Sequence, residues 1–278
     1  MDRFENKAII DRDSNIELLR LLCMFMVLMH HFLLGGPGIA AFKSININHD
    51  SLVAAFINPF FYCAVNTFIL ISGFYGIKFK IKGVANLYVR CAWYGTLCYL
   101  LHIIVDNASI GPYGLVHNCV FALSNSRWFI GAYICLYLIS PALNALIDTF
   151  SKKRFISFLT VLCIINLYFG WGWGNSVNYN GYNLPQFIFL YFIGRFLALY
   201  YQPKGSKRWG YLLLYLICAT LLGVICLIAS KKGGGNYLAH LFSNCYNNPI
   251  LILEAIALLY FFKTLFTKFN ICVNRFVI

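Results

Sequence analysis

The chain has 278 residues, 60% of them hydrophobic and only 11% charged, and a mean hydropathy of +0.71, which excludes an ordinary soluble globular domain. A formal net charge of +13 would suit a nucleic-acid binder, but Lys and Arg fall in short clusters between apolar stretches and form no basic stripe, so no nucleic-acid partner is expected. Most of the 11 cysteines (Cys23, Cys91, Cys98, Cys135, Cys163, Cys218 and Cys226) lie inside apolar segments as small hydrophobes, and no C-x-x-C pair or His/Cys cluster has zinc spacing, so neither a disulfide framework nor a metal is expected.

Residues 1–14 are polar and charged and lack the apolar core and cleavage site of a signal peptide, so they are expected as a cytoplasmic tail, with the first apolar segment kept as a helix. A span needs roughly 20 mostly apolar residues, and that length predicts about eight: 16–36, 52–74, 87–105, 128–147, 155–171, 185–201, 209–230 and 249–267. The expected fold is all-α, a polytopic transmembrane helix bundle in the lipid bilayer, forming a single membrane domain over 1–278 with a cytoplasmic end at 268–278. Trp93, Trp128, Trp171, Trp173 and Trp209 lie mostly near span ends, as an aromatic belt requires.

Basic residues sort the connections. One set holds Arg3, Lys7, Arg12 and Arg20, then Lys78, Lys80, Lys82 and Arg90, then Lys152, Lys153 and Arg154, then Lys204, Lys207 and Arg208, and last Lys263, Lys268 and Arg275. The alternate set holds Lys43, Arg127, Lys231 and Lys232, while Arg195 sits in the cytoplasmic half of the sixth span. The positive-inside tendency therefore puts both termini in the cytoplasm of a multi-pass plasma membrane protein. The outward connections, 35–51, 106–127, 171–184 and 231–248, are longer and carry Gly-Pro, Asn-rich and Gly-Gly-Gly stretches. Their Tyr and Trp residues suit stacking on sugar rings, and they equally fit ordinary membrane-protein loops. No internal repeat or inverted pair of interrupted helices is visible.

The chemistry concentrates at the first span, where Asn15-Ile16-Glu17-Leu18-Leu19-Arg20 runs into an apolar segment carrying His30 and His31. Lipid-facing helices avoid such charges and imidazoles, so this stretch is a candidate site. Arg20 and His31 are separated by about three whole turns and project from one helix face roughly 16 Å apart, with Glu17 in ion-pair reach of Arg20 and His30 turned away by about 100°. This selects His31 over His30 as the partner of the Glu17/Arg20 end. A plainer arrangement fits the same residues: Arg20 as an interfacial anchor and both histidines as interface residues.

Ile16-Glu17-Leu18-Leu19-Arg20 with His31 resembles the opening signature of the acyltransferase-3 family of membrane-bound acyltransferases, with Glu where Asp is commoner. Asn66-Thr67-Phe68-Ile69-Leu70-Ile71-Ser72-Gly73-Phe74 resembles that family's second-helix segment, followed here by the basic stretch from Lys78 to Arg90. Ser126-Arg127-Trp128-Phe129 leading into Tyr137-Leu138-Ile139-Ser140-Pro141-Ala142-Leu143-Asn144 resembles its Trp-Phe and Leu-Ser-Pro helix, and Tyr246-Asn247-Asn248-Pro249 is similar to a segment of the same group. The resemblance runs from Asn15 to about Phe269. It departs from the pattern at position 87, a leucine where the fuller Arg-x-x-Arg form of the third helix has arginine. Members usually carry about ten spans, so a chain ending at Ile278 is expected to lack the C-terminal helices, as a truncated and inactive product or as a shorter variant.

The resemblance implies an integral membrane O-acyltransferase, moving an acyl group other than aminoacyl, in the simplest case acetyl, from acyl-CoA to a hydroxyl of a cell-surface or exported glycan or its lipid-linked form. It implies acetyl-CoA as co-substrate, with no bound cofactor, and a bacterial inner membrane location. His31 would take the hydroxyl proton, with Arg20 held by Glu17. Arg20, Lys78, Lys80, Lys82 and Arg90 lie on the side of the polyanionic donor. Ser72 is a hydrogen-bonding or helix-packing residue, and Trp128 and Tyr133 line an acceptor path or are core aromatics. His49, His102, His117 and His240 are read as isolated loop or interface residues. The rival reading is a transporter or flippase of lipid-linked saccharides, which predicts charges in the middles of several spans; here only the histidines, Arg195 and Glu254 qualify. A polysaccharide polymerase would need a large arginine-bearing outward loop, which the chain lacks.

Overall fold

The computed structural model describes residues 13–35, 48–106, 111, 113–114, 116, 128–172, 177–231 and 245–265. Among the described residues every regular element is helical. In chain order they are α1 (Ser14–Gly35), α2 (His49–Ile57), α3 (Pro59–Tyr62), α4 (Ala64–Tyr75), α5 (Ile81–Asp106), α6 (Trp128–Asp148), α7 (Lys152–Cys163) continued by a π-helix (Ile164–Gly172), α8 (Leu184–Tyr200), α9 (Arg208–Lys231) and α10 (Pro249–Lys263). Short 3-10 turns stand at Tyr179–Gly181 and Gly205–Lys207.

Each expected span has its helical counterpart, and six stretches are long and apolar enough to cross a membrane: Ser14–Gly35, His49–Tyr75, Ile81–Val105, Trp128–Asp148, Lys152–Gly172 and Gly205–Ser230. The sixth expected span, at 17 residues, is apolar but shorter, closed in by Pro185 at its start and Pro203 just beyond its end. The eighth is helical over 15 residues, α10. The second span is three helices in succession: Asn58 caps α2 through its N–H to the Ala54 carbonyl at 2.9 Å, and Pro59 has no N–H to continue the ladder. The third span starts six residues earlier than expected and takes Lys82 into the helix with Arg90. Residues 1–12 of the expected tail and 268–278 of the expected cytoplasmic end lie outside the described residues, as do Lys43, His117, Ser126, Arg127, Trp173, Lys232 and His240.

The chain divides into two compact units. The first is formed by Met1–Ile71, Gln202–Ser243 and Ile250–Ile278. Within it α2 and α3 pack on α9, and α1 packs on α3. The approach of α2 to α9 needs a glycine, because a Cβ on Gly223 would lie 2.6 Å from the Phe56 carbonyl oxygen. Tyr215 Oη donates to the Phe60 carbonyl at 2.7 Å, and Lys263 on α10 pairs with Asp13 ahead of α1. On α1 the buried row is Ile16, Leu19, Cys23, Met26, His30 and Leu33, the alternating spacing of three and four that keeps one helix face inward.

The second unit is formed by Ser72–Tyr201 and Asn244–Pro249, with α8 packed on α6 and α7. An aromatic core surrounds Phe155, which meets Phe150, Phe192, Phe196 and Tyr200. Pro141 stands inside α6 and leaves the Tyr137 carbonyl without its helical donor; the Ser140 hydroxyl supplies one at 2.7 Å, which lets the Leu-Ser-Pro segment stay helical.

Candidate functional site

In the first unit Glu17 and Arg20 form the expected ion pair, Arg20 Nη1 to Glu17 Oε1 at 2.6 Å. Both side chains are partly exposed, so the pair is worth at most about 1 kcal/mol and its value is positional. Glu17, Arg20, Val27 and His31 each follow by one position a member of the buried row of α1, so they form a second row along its flank. His31 thus shares a helix side with the Glu17–Arg20 pair, and its ring lies on the exposed side of α1.

His30 occupies the buried row. Its Nδ1 is 2.7 Å from Asn58 Oδ1, and its ring stacks at 4.8 Å on Tyr62 and meets His31 edge-on at 5.4 Å. An amide oxygen only accepts, so Nδ1 donates, and in the neutral ring this leaves Nε2 with its lone pair. Asn58 was not visible as a partner in the sequence: it is held at the α2–α3 break, 28 positions from His30. Elsewhere in this unit Glu254 on α10 is fully buried with the Cys63 thiol beside its carboxyl, and Tyr215 shares that surrounding.

In the second unit the segment leaving α4 is held by α6 and α8. Gly73 allows contact with α8, since a Cβ there would lie 2.4 Å from the Tyr191 carbonyl oxygen. Gly76 ends the helix at φ +73°, a left-handed conformation that favours glycine. Beyond it Tyr191 Oη accepts the Ile77 N–H at 3.0 Å and donates to Asn144 Oδ1 at 2.6 Å, while Asn144 Nδ2 donates to the Ile77 carbonyl at 2.9 Å. Tyr137 Oη donates to the Lys78 carbonyl at 3.2 Å and accepts the Lys80 N–H at 3.1 Å. Tyr133, Tyr137 and Asn144 recur at spacings of four and seven along one face of α6, which is how one helix grips the whole turn.

Of the sequence-predicted residues in this unit, Ser72 and Tyr133 are brought together, with Oγ and Oη 3.2 Å apart, and Lys78 is exposed on the gripped turn. Trp128 is linked to Tyr133 through Phe129, which stacks on Tyr133 at 6.1 Å; Trp128 also meets Tyr182 at 4.7 Å and Tyr246 at 5.3 Å. Arg90 stands on the exposed side of α5, further along the chain than the gripped turn. Behind the aromatic group is an amide cluster that sequence reasoning registered only as Asn-rich connections: Asn166 Nδ2 donates to Gln186 Oε1 at 2.6 Å, Asn178 bonds Asn166, and Gln186 Nε2 donates to the Tyr246 carbonyl at 2.9 Å. Here the Tyr246-Asn247-Asn248 segment closes onto Gly181, where a Cβ would lie 2.7 Å from the Asn247 nitrogen. Burial pushes the Cys245 thiol at its start up to about 12. Among the described residues no group of three or more His, Cys, Asp and Glu is placed to hold a metal ion.

A family model described as an acyltransferase domain, that of acyltransferase-3, matches residues 13–273 and so runs through both units. No curated protein and no solved structure gave a significant match.

Proposed function

Because the chain belongs to the acyltransferase-3 family of membrane acyltransferases, we propose that it O-acylates a cell-surface or exported glycan, or its lipid-linked form, with acetyl-CoA as cytosolic donor, from a bacterial inner membrane with both its termini in the cytoplasm. The observation that carries this reading is the row Glu17–Arg20–His31 on α1, in a chain matched by that family over almost its full length. His31 takes the proton of the acceptor hydroxyl, the oxygen attacks the thioester carbonyl, and collapse of the tetrahedral intermediate breaks the C–S bond and returns the proton to the CoA thiolate. Glu17 holds Arg20 in its rotamer for the electrostatic part of the reaction. Lys78 and Arg90 contact the donor's phosphates. Ser72 and Tyr133 hydrogen-bond at the donor side, and Trp128 stacks on the acceptor.

The test is acyl transfer from labelled acetyl-CoA by the full chain in membranes, with glycan esters read by mass spectrometry. His31→Ala is expected to lower the rate at least about 100-fold, the usual worth of a general base. A second reading makes His30 the base, favoured by the Asn58 bond that fixes its tautomer with Nε2 free of a proton. It holds if His30→Ala abolishes transfer while His31→Ala leaves it intact.

A further inference from the structure

Arg195 has no role in the mechanism above, yet its surroundings leave its charge unanswered. It is the single charged residue of α8, set in the apolar run Leu184–Tyr200. Among the described residues it makes no ion pair and no hydrogen bond, and its Nε is buried without a partner. A guanidinium is a permanent cation with its donors in a planar fork. Partly exposed and without an acceptor among the described residues, it is a fixed cation that an anion can approach.

The surroundings say what kind of anion fits. The guanidinium faces the turn that ends α4: a methyl group built on Gly76 would lie 3.4 Å from Nη1 and 3.6 Å from Cζ, ordinary contact distances that set the fork against that turn. One helical turn before Arg195, Tyr191 fixes Ile77, and Tyr137 fixes Lys78 and Lys80 from α6. A fork of donors thus stands beside a backbone turn held by three side chains, with the ammonium groups of Lys78 and Lys80 on the residues that follow. Planar, bidentate donors with lysines nearby match a phosphate group better than a single carboxylate.

We propose that Arg195, with the Gly76–Lys80 turn, is a phosphate-binding site of the second unit. Resting on the acyl-CoA reading above, the phosphate is that of the donor nucleotide; the same chemistry is offered by the headgroup of an anionic phospholipid.

The experiment uses the full chain in nanodiscs of zwitterionic lipid, with CoA binding measured by calorimetry, and in parallel the uptake of phosphatidylglycerol from mixed vesicles. Arg195→Gln is expected to weaken CoA binding about 10-fold or more, as loss of a charge-assisted bidentate contact does. Arg195→Lys keeps the charge and loses the fork, so it should bind CoA more weakly than wild type with an unchanged melting temperature; it serves as the readout if the glutamine variant does not fold. If CoA binding is unchanged but phosphatidylglycerol enrichment is lost, the site holds a lipid phosphate. If both variants keep both bindings, the proposal is overturned. A wild-type chain that binds CoA through Arg195 but transfers no acyl group sinks the acyltransferase reading alone, whereas transfer with Arg195-independent CoA binding sinks this inference alone.

Discussion

Two neighbouring histidines differ here because a helix turns by about 100° per residue. His30 falls into the buried row of α1 and must satisfy its ring nitrogen inside the protein, which Asn58 does; His31 falls one step round, beside the Glu17–Arg20 pair. If the His30–Asn58 bond is the reason for both residues, His30→Ala and Asn58→Ala should each destabilise by about 1–3 kcal/mol, and the double variant by clearly less than their sum, since each single change strands a buried partner. Thermal unfolding of the four proteins in one detergent reads this; additive losses would mean that the contact is incidental. Cys245 offers a pH test. A thiol raised to about 12 is almost wholly protonated at pH 8 in the folded chain, whereas an ordinary thiol is partly ionised there. Alkylation at Cys245, followed by peptide mass spectrometry, should stay slow from pH 7 to 9 and become fast at pH 8 on denaturation.

At the scale of elements, small residues decide where helices meet. Gly73 and Gly131 are both helical glycines in the second unit. A Cβ at Gly73 would strike the Tyr191 backbone, whereas at Gly131 it would meet nothing within 4 Å. Gly73→Ala should therefore cost about 1–3 kcal/mol through overpacking, while Gly131→Ala should be neutral or slightly stabilising from better helix propensity. Melting temperatures of the two variants make the comparison, and equal shifts would remove the packing account of the Ser-Gly-Phe segment. The same segment shows how far motif reading reaches. Ser72 and Tyr133 were both candidates from the sequence, but their 3.2 Å contact and the grip of Tyr137, Asn144 and Tyr191 on the following turn depend on three helices meeting.

For the whole molecule the testable quantity is orientation. The basic clusters hold Lys78, Lys80 and Lys82, then Lys152 and Lys153, then Lys204 and Lys207, and the positive-inside tendency predicts a cytoplasmic face for all of them. A membrane-impermeant amine reagent should modify these lysines in inverted vesicles and leave them untouched in intact cells. The opposite pattern would reverse the topology and take Lys78 away from a cytosolic donor. The family match runs over residues of both units, so activity is to be measured on the full chain.

What the sequence by itself determined is whatever depends on local periodicity and composition. The apolar runs set the helices, basic residues sorted the connections, and the turn of one helix put Glu17, Arg20 and His31 in a row. Span lengths were less legible, because Pro59, Pro185 and Pro203 interrupt or shorten helices inside runs that remain apolar. Only the tertiary structure decided which polar groups meet. Asn58 reaches His30 across 28 positions, and Tyr191 reaches Ile77 across 114. No periodicity encodes such pairs, since each exists only once separate helices have packed closely enough that a buried polar atom must find its partner on another element.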